Sequence, residues 1–131
     1  MGKLYSFSIN TPKEGLVNVT SLARECLTDS GVREGILVVF VPHTTAGVTI
    51  NENADPDVQT DLLLGLSKAF PADPAFRHSE GNSPAHLKAS AVGSSVTLIV
   101  DKGTLVLGSW QAIYFCEFDG PRTRKCFFTV I

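Results

Sequence analysis

The sequence predicts a single α+β domain in which a largely antiparallel, sandwich-like sheet carries about three helices. Three observations lead there. Strand-type patterns outnumber helical ones, the last third of the chain is almost wholly strand-type, and strands and helices do not alternate as a parallel, doubly wound sheet would require. A length of 131 residues fits one domain spanning 1–131, large enough to bury a core without staples.

The elements follow in order. Leu4 to Ile9 alternates as a strand and stops at the turn residues Thr11-Pro12-Lys13-Glu14-Gly15. Val17 to Val19 is a second short strand. Ser21 to Asp29 places Leu22, Ala23, Cys26 and Leu27 on one helical face, with Gly31 as a C-cap. Ile36 to Val41 is a continuous apolar run, read as a buried strand ended by Pro42. Val48 to Asn51 is another strand. Asp55 caps the next helix with Pro56 in its first turn, and Val58, Leu62, Leu66 and Phe70 form its apolar stripe. Pro71 to Gly81 is irregular. Ser83-Pro84 opens a third helix ending near Gly93. Val96 to Val100 and Thr104 to Leu107 flank Asp101-Lys102-Gly103 as a hairpin. Gln111 to Phe118 and Arg124 to Val130 are the last strands, joined at Asp119-Gly120-Pro121, and a hairpin there would bring Cys116 opposite Cys126.

Composition excludes several classes. The 11 basic and 13 acidic side chains leave a formal charge of −2, with no broad attraction for nucleic acid. No apolar run approaches the roughly 20 residues that span a bilayer, and the N-terminus lacks a signal-peptide pattern. Three cysteines, an odd number, read as reduced core thiols in a cytoplasmic protein.

The chemistry-bearing residues interrupt this pattern. His43 follows a strand directly, beside the hydroxyls of Thr44 and Thr45, where a side chain projects from a rigid frame; the plainer reading is a loop histidine bonded to backbone. His78 and His86 flank the start of the third helix, whose free N–H groups and nearby Lys88 suit an anion. A separation of eight residues is no standard zinc signature. A divalent metal, zinc or magnesium, on His43, His78 and His86 is one reading, and acid–base chemistry or ligand hydrogen bonding is another. Glu52 reads as an ordinary turn former. Alternation places Ile113, Phe115 and Glu117 on one face of a strand and Tyr114, Cys116 and Phe118 on the other, so the strand is central and Glu117 needs a partner. Arg122 or Arg124 is the structural choice; otherwise Glu117 or Asp119 holds a metal, a ligand or a proton. Arg122 is also suited to a phosphate.

Three blocks resemble the YjbQ family, also called secondary thiamine-phosphate synthase enzymes. They are Pro42 to Pro56, reading PHTTAGVTINENADP; His78 to Lys88, with Glu80-Gly81-Asn82 and Ala85-His86-Leu87-Lys88; and Gly108 to Ile113 followed by Glu117 to Arg122. The resemblance implies an α+β trimer and a site of His43, His78 and His86 with Asn51, Glu52 and Glu117. It also implies a weak secondary activity, the joining of the pyrimidine and thiazole halves of thiamine phosphate. The candidate catalytic residues are therefore His43, His78, His86 and Glu117. Thr44, Thr45, Asn51, Glu52, Asn82, Lys88 and Arg122 are the candidate contacts to a phosphorylated small molecule. A non-catalytic, trimeric module binding a small anion or a metal is the alternative.

Overall fold

The computed structural model describes residues 2–131. Its elements are β1 (Tyr5–Asn10), β2 (Gly15–Asn18), α1 (Thr20–Ser30), β3 (Gly35–Phe40), β4 (Ala46–Glu52), α2 (Pro56–Ala69), α3 (Ser83–Val92), β5 (Ser95–Asp101), β6 (Thr104–Leu105), β7 (Gln111–Glu117) and β8 (Thr123–Val130). They form a five-stranded sheet in the order β1-β8-β3-β5-β6 and a three-stranded sheet in the order β2-β7-β4. Every ladder is antiparallel, as expected.

The α+β class thus holds, but the sheets close mainly through distant partners. β5 and β6 are the consecutive strands that pair as a hairpin, turning at Lys102 and Gly103 with φ of 51° and 74°, the left-handed geometry that a two-residue hairpin turn needs. The hairpin expected of the last two strands does not form. β7 is the centre of the small sheet and β8 lies between β1 and β3 in the large one. Both strands must bury side chains, and each finds two flanking strands only by joining a different sheet. Cys116 and Cys126 are consequently free, like Cys26. Burial pushes the thiol of Cys26 up to about 11 and those of Cys116 and Cys126 up to about 12.

The main core lies between the sheets. Leu37, Val39, Leu98, Cys126 and Phe128 from the large sheet meet Val48, Ile113 and Phe115 from the small one, with Ala23, Cys26 and Leu27 of α1 in the same cluster. The other face of the small sheet forms a second cluster, in which Cys116 and Phe118 pack on Ala85 and Ala89 of α3 and on Leu63 and Leu66 of α2. The layers are therefore sheet, sheet and helices. β7 is buried on both faces, as its alternation requires.

Two expectations need correction. The Ile36–Val41 run is buried on one face only: Leu37, Val39 and Val41 point inward, whereas Ile36 and Phe40 are 40% and 43% exposed. No layer among the described residues covers the outer face of the large sheet, where Ile36, Phe40 and Ile99 are exposed. α2 starts as expected, with the Asp55 side chain accepting from the Asp57 N–H at 2.9 Å and Pro56 at its first position, yet none of its residues is fully buried.

Candidate functional site

The loop Pro42–Thr45 carries the chain from β3 in the large sheet to β4 in the small one. β3 pairs with β8 as far as Phe40 opposite Phe127. Beyond that point Lys125 has no strand partner on that side, and its N–H donates instead to His43 Nε2 at 2.9 Å. A neutral ring that accepts at Nε2 carries its proton on Nδ1. Burial, and then the Arg124 guanidinium, hold the His43 pKa below its ordinary value, which keeps the ring neutral. The backbone-bonded loop histidine is thus what forms at this position.

Behind the loop lies a buried polar cluster. Arg124 shares the inward register of β8 with Cys126, Phe128 and Val130. Its Nε donates to Glu117 Oε1 at 2.7 Å, and its Nη2 donates to Glu117 Oε2 and, at 2.9 Å, to Thr45 Oγ1. Glu117 also accepts from the Thr11 hydroxyl and from the Asp119 N–H at 3.0 Å. Burial raises the Glu117 pKa, but the bonds from Arg124, Thr11 and Asp119 outweigh it and hold the carboxyl below its usual range. Both carboxylate oxygens are occupied and the side chain is fully buried. Glu117 is the buried carboxylate that the alternation of β7 implies, and its partner is Arg124.

α3 supplies the opposite wall. Its cap residue Asn82 makes no side-chain cap bond; its amide donates to Asp119 Oδ2 at 2.8 Å. Asp119 also receives Arg122 Nη2 at 3.0 Å, while Arg122 Nε donates to the Asp119 carbonyl at 2.7 Å. The Asn82 amide and the Arg122 guanidinium lower the Asp119 pKa. Asn82 Oδ1 is buried with no partner among the described residues, an acceptor facing a shortage of donors. Pro84 has no N–H and the Ala85 N–H donates to the Asn82 carbonyl, so the helix start offers fewer anion-binding donors than expected. His86, in the first turn, meets His78 edge to face with ring centroids 5.2 Å apart at 89°.

These elements enclose a cleft of about 350 Å³ lined by Pro42, His43, Thr44, Thr45, His78, Glu80, Asn82, His86, Arg122 and Arg124. A neighbouring lobe of about 380 Å³ shares His43, Thr44 and His86 and runs along α3 past Ala46, Ala89, Ser90, Gly93 and Ser94. The three histidines therefore line one cleft, with Thr44, Thr45, Asn82 and Arg122. Arg124 and Glu80 complete it. Arg124 was legible as a cation in a register of core residues; Glu80 stood in the second block of the resemblance without an assigned role.

Three expected contacts lie elsewhere. Lys88 is 5% exposed and points under α2, with Nζ 3.1 Å from Ser67 Oγ and 3.4 Å from Glu14 Oε2. α3 turns it away from His86, because residues two apart on a helix do not share a face. Asn51 and Glu52 end β4, opposite Ala112 and Gln111, whereas Ala46 at its start is opposite Glu117. At about 3.3 Å per residue, the length of the strand separates them from the histidines by roughly 20 Å. Asn51 Oδ1 accepts from the Glu52 N–H at 2.7 Å, a local bond at the end of the strand. The three histidines line one cleft without forming a ready ligand set among the described residues. His43 commits Nε2 to Lys125, and among the described residues no three His, Cys, Asp or Glu side chains are grouped to hold a metal ion.

Residues 5–131 match the family model described as UPF0047 protein YjbQ-like. The chain is 48% identical over 118 residues to the UPF0047 protein YugU of Bacillus subtilis, covering 89% of each. It is 49% identical over 129 residues to the UPF0047 protein MJ1081 of Methanocaldococcus jannaschii, covering 98% of this chain and 94% of that protein. The crystal structure of an uncharacterized YjbQ/UPF0047 family protein from Clostridium acetobutylicum superposes with a TM-score of 0.94 at 52% identity, covering 97% of this chain and 99% of that one. The hypothetical protein APE1520 of Aeropyrum pernix gives a TM-score of 0.92 at 35% identity, covering 98% of both chains. The order of the three sequence blocks, the sheet topology and these matches agree: the chain belongs to the UPF0047 YjbQ-like family.

Proposed function

We propose that the chain is an enzyme acting on a phosphorylated small molecule in the His43 cleft, with thiamine phosphate formation as a secondary reaction of that site. The observation that carries this reading is the lining. Three imidazoles and two guanidinium groups face one space, against one carboxylate, Glu80. Glu117 neutralises Arg124 from behind, while Arg122 is half exposed and keeps donors beyond those given to Asp119. In the secondary reaction the thiazole nitrogen attacks the methylene carbon of the pyrimidine half. The C–N bond forms as the C–O bond to pyrophosphate breaks, and the leaving oxygen takes the electron pair. In this reading Arg122 stabilises that anion and His78 or His86 gives it a proton.

Wild type, His78→Ala and His86→Ala are assayed for thiamine phosphate from the pyrimidine pyrophosphate and the thiazole phosphate. The variants are expected to lose activity, and equal rates in all three remove these histidines from the mechanism. A second reading, binding without turnover, is favoured by the commitment of Glu117 and His43 Nε2 to internal bonds. Tight calorimetric binding of a phosphorylated metabolite that is recovered unchanged selects it.

A homotrimer is proposed with either reading. It is supported by the uncovered outer face of the large sheet, where Ile36 and Ile99 are paired and 40% and 62% exposed, and by the unburied stripe of α2. Mass measurement in solution checks it, and a stable monomer overturns it. No helix among the described residues is long and apolar enough to cross a membrane. A cytoplasmic setting is proposed on the three buried free thiols.

A further inference from the structure

We propose that a second cleft, at the opposite end of the small sheet, binds a small molecule through an oxyanion, a carboxylate or a phosphate. This cleft, of about 350 Å³, lies between the start of α1, the end of β4 and the Leu105–Ala112 segment, and shares no residue with the histidine cleft. Gln111 and Glu117 are the two ends of β7, so roughly 20 Å of strand separates the two sites.

The hydrogen bonds of its walls assign its polarity. Asn18 Oδ1 accepts from the Thr20 N–H at 3.0 Å. Asn53 Oδ1 accepts from the Asn18 amide at 3.2 Å and lies 3.0 Å from the Tyr114 hydroxyl. Gln111 Oε1 accepts from the Gly108 N–H at 2.8 Å. Each amide carbonyl in the wall is thus used by the protein itself, which fixes which way each amide faces. What remains are donors. Among the described residues, the Asn53 Nδ2 and Gln111 Nε2 groups and the Arg24 guanidinium donate to no protein acceptor, and Arg24 makes no ion pair.

The lining holds this one cation and no carboxylate; Glu25, next in sequence to Arg24, faces a different groove beside Lys3 and Tyr5. Glu52 stands across the ladder from Gln111 but does not line the cleft, and a planar guanidinium with two amide donors matches an oxyanion in both charge and hydrogen-bond sense. Leu105 and Leu107 also line the cleft, but its accessible surface is mainly polar, which suits the anionic group rather than a hydrocarbon body.

The chain's one tryptophan, Trp110, stands between the lining residues Ser109 and Gln111, and its carbonyl accepts from the Asn53 N–H at 2.7 Å. Its fluorescence therefore reports on this cleft. The full chain is titrated with inorganic phosphate and, separately, with acetate, at ionic strength held constant with chloride. A saturable change in Trp110 emission is expected with at least one anion, and the anion that gives it identifies the head group. Arg24→Ala and Gln111→Glu are each expected to weaken it by about tenfold or more, the loss of a charge-assisted contact. Arg122→Ala, in the other cleft, leaves it unchanged. Circular dichroism verifies that each variant is folded. A non-saturating response to both anions overturns the proposal, as does a saturable response that folded Arg24→Ala and Gln111→Glu leave intact.

Discussion

Glu117 and Arg124 meet as a two-point ion pair inside the protein, with Arg124 Nε 2.7 Å from Glu117 Oε1 and Nη2 on Oε2, the two side chains 0% and 5% exposed. The pair joins the ends of strands in different sheets, β7 and β8, and Arg124 passes the constraint on to Thr45 in the His43 loop. A buried pair of this kind adds little over a well-packed apolar pair, but losing one partner strands a charge. Its function is therefore positional: it ties the sheet crossover to the loop that presents His43.

Glu117→Gln is expected to cost about 3–5 kcal/mol, because the Arg124 charge stays buried without its counter-ion. Urea denaturation measures it. Replacing both partners, Glu117→Leu with Arg124→Met, recovers much of that loss if the cost arises from the uncompensated charge.

His43 sets a stability change in weakly acidic solution. Burial and Arg124 hold its folded pKa below the ordinary value, so the unfolded chain takes up the proton first as pH falls below about 6.5. The contribution is complete above that value and declines as pH drops from there toward the folded pKa. The carboxyls of Asp29, Glu117 and Asp119, also lowered, lose theirs further down, below the carboxylate range. In denaturation curves between pH 7 and 5, His43→Gln is expected to flatten the slope, since its amide oxygen accepts from Lys125 without titrating. An unchanged slope contradicts the assignment.

Gly120 occupies a close approach. A Cβ there would collide with the Pro12 carbonyl oxygen and lie 2.9 Å from Glu117 Cγ, and the Gly120 N–H already donates to the Lys13 carbonyl at 2.8 Å. Gly120→Ala is expected to destabilise by about 1–3 kcal/mol through overpacking. Thermal melting checks it, and shifted resonances of Thr11 and Arg124 would trace the displacement into the ion-pair cluster.

Arg122→Ala separates binding from stability. Its bridge to Asp119 is half exposed, so its removal alters unfolding free energy by no more than about 1 kcal/mol. Affinity for a phosphorylated ligand in the His43 cleft is expected to fall about tenfold or more. Calorimetry beside a denaturation curve resolves the two effects.

The sequence by itself determined the α+β class, the helix starts at Asp55-Pro56 and Ser83-Pro84, the central burial of β7 and the family. These rest on short-range rules: period-2 and period-3.6 patterns, a proline in the first turn of both helices, and the Asp55 cap of α2; at α3 the cap position falls on Asn82, not Ser83, and makes no side-chain cap bond. Alternation on β7 also marked Glu117 as a buried carboxylate in need of a partner. Only the tertiary structure chose Arg124 over Arg122, because the choice depends on the chain changing sheets between β7 and β8. The same long-range pairing removed the expected hairpin, sent Asn51 and Glu52 to the far end of β4, and turned Lys88 under α2. Local pattern fixes which way a side chain faces along its own element. Which element it faces is decided by the competition of strands for flanking partners, and that competition gathered His43, His78 and His86 around one cleft.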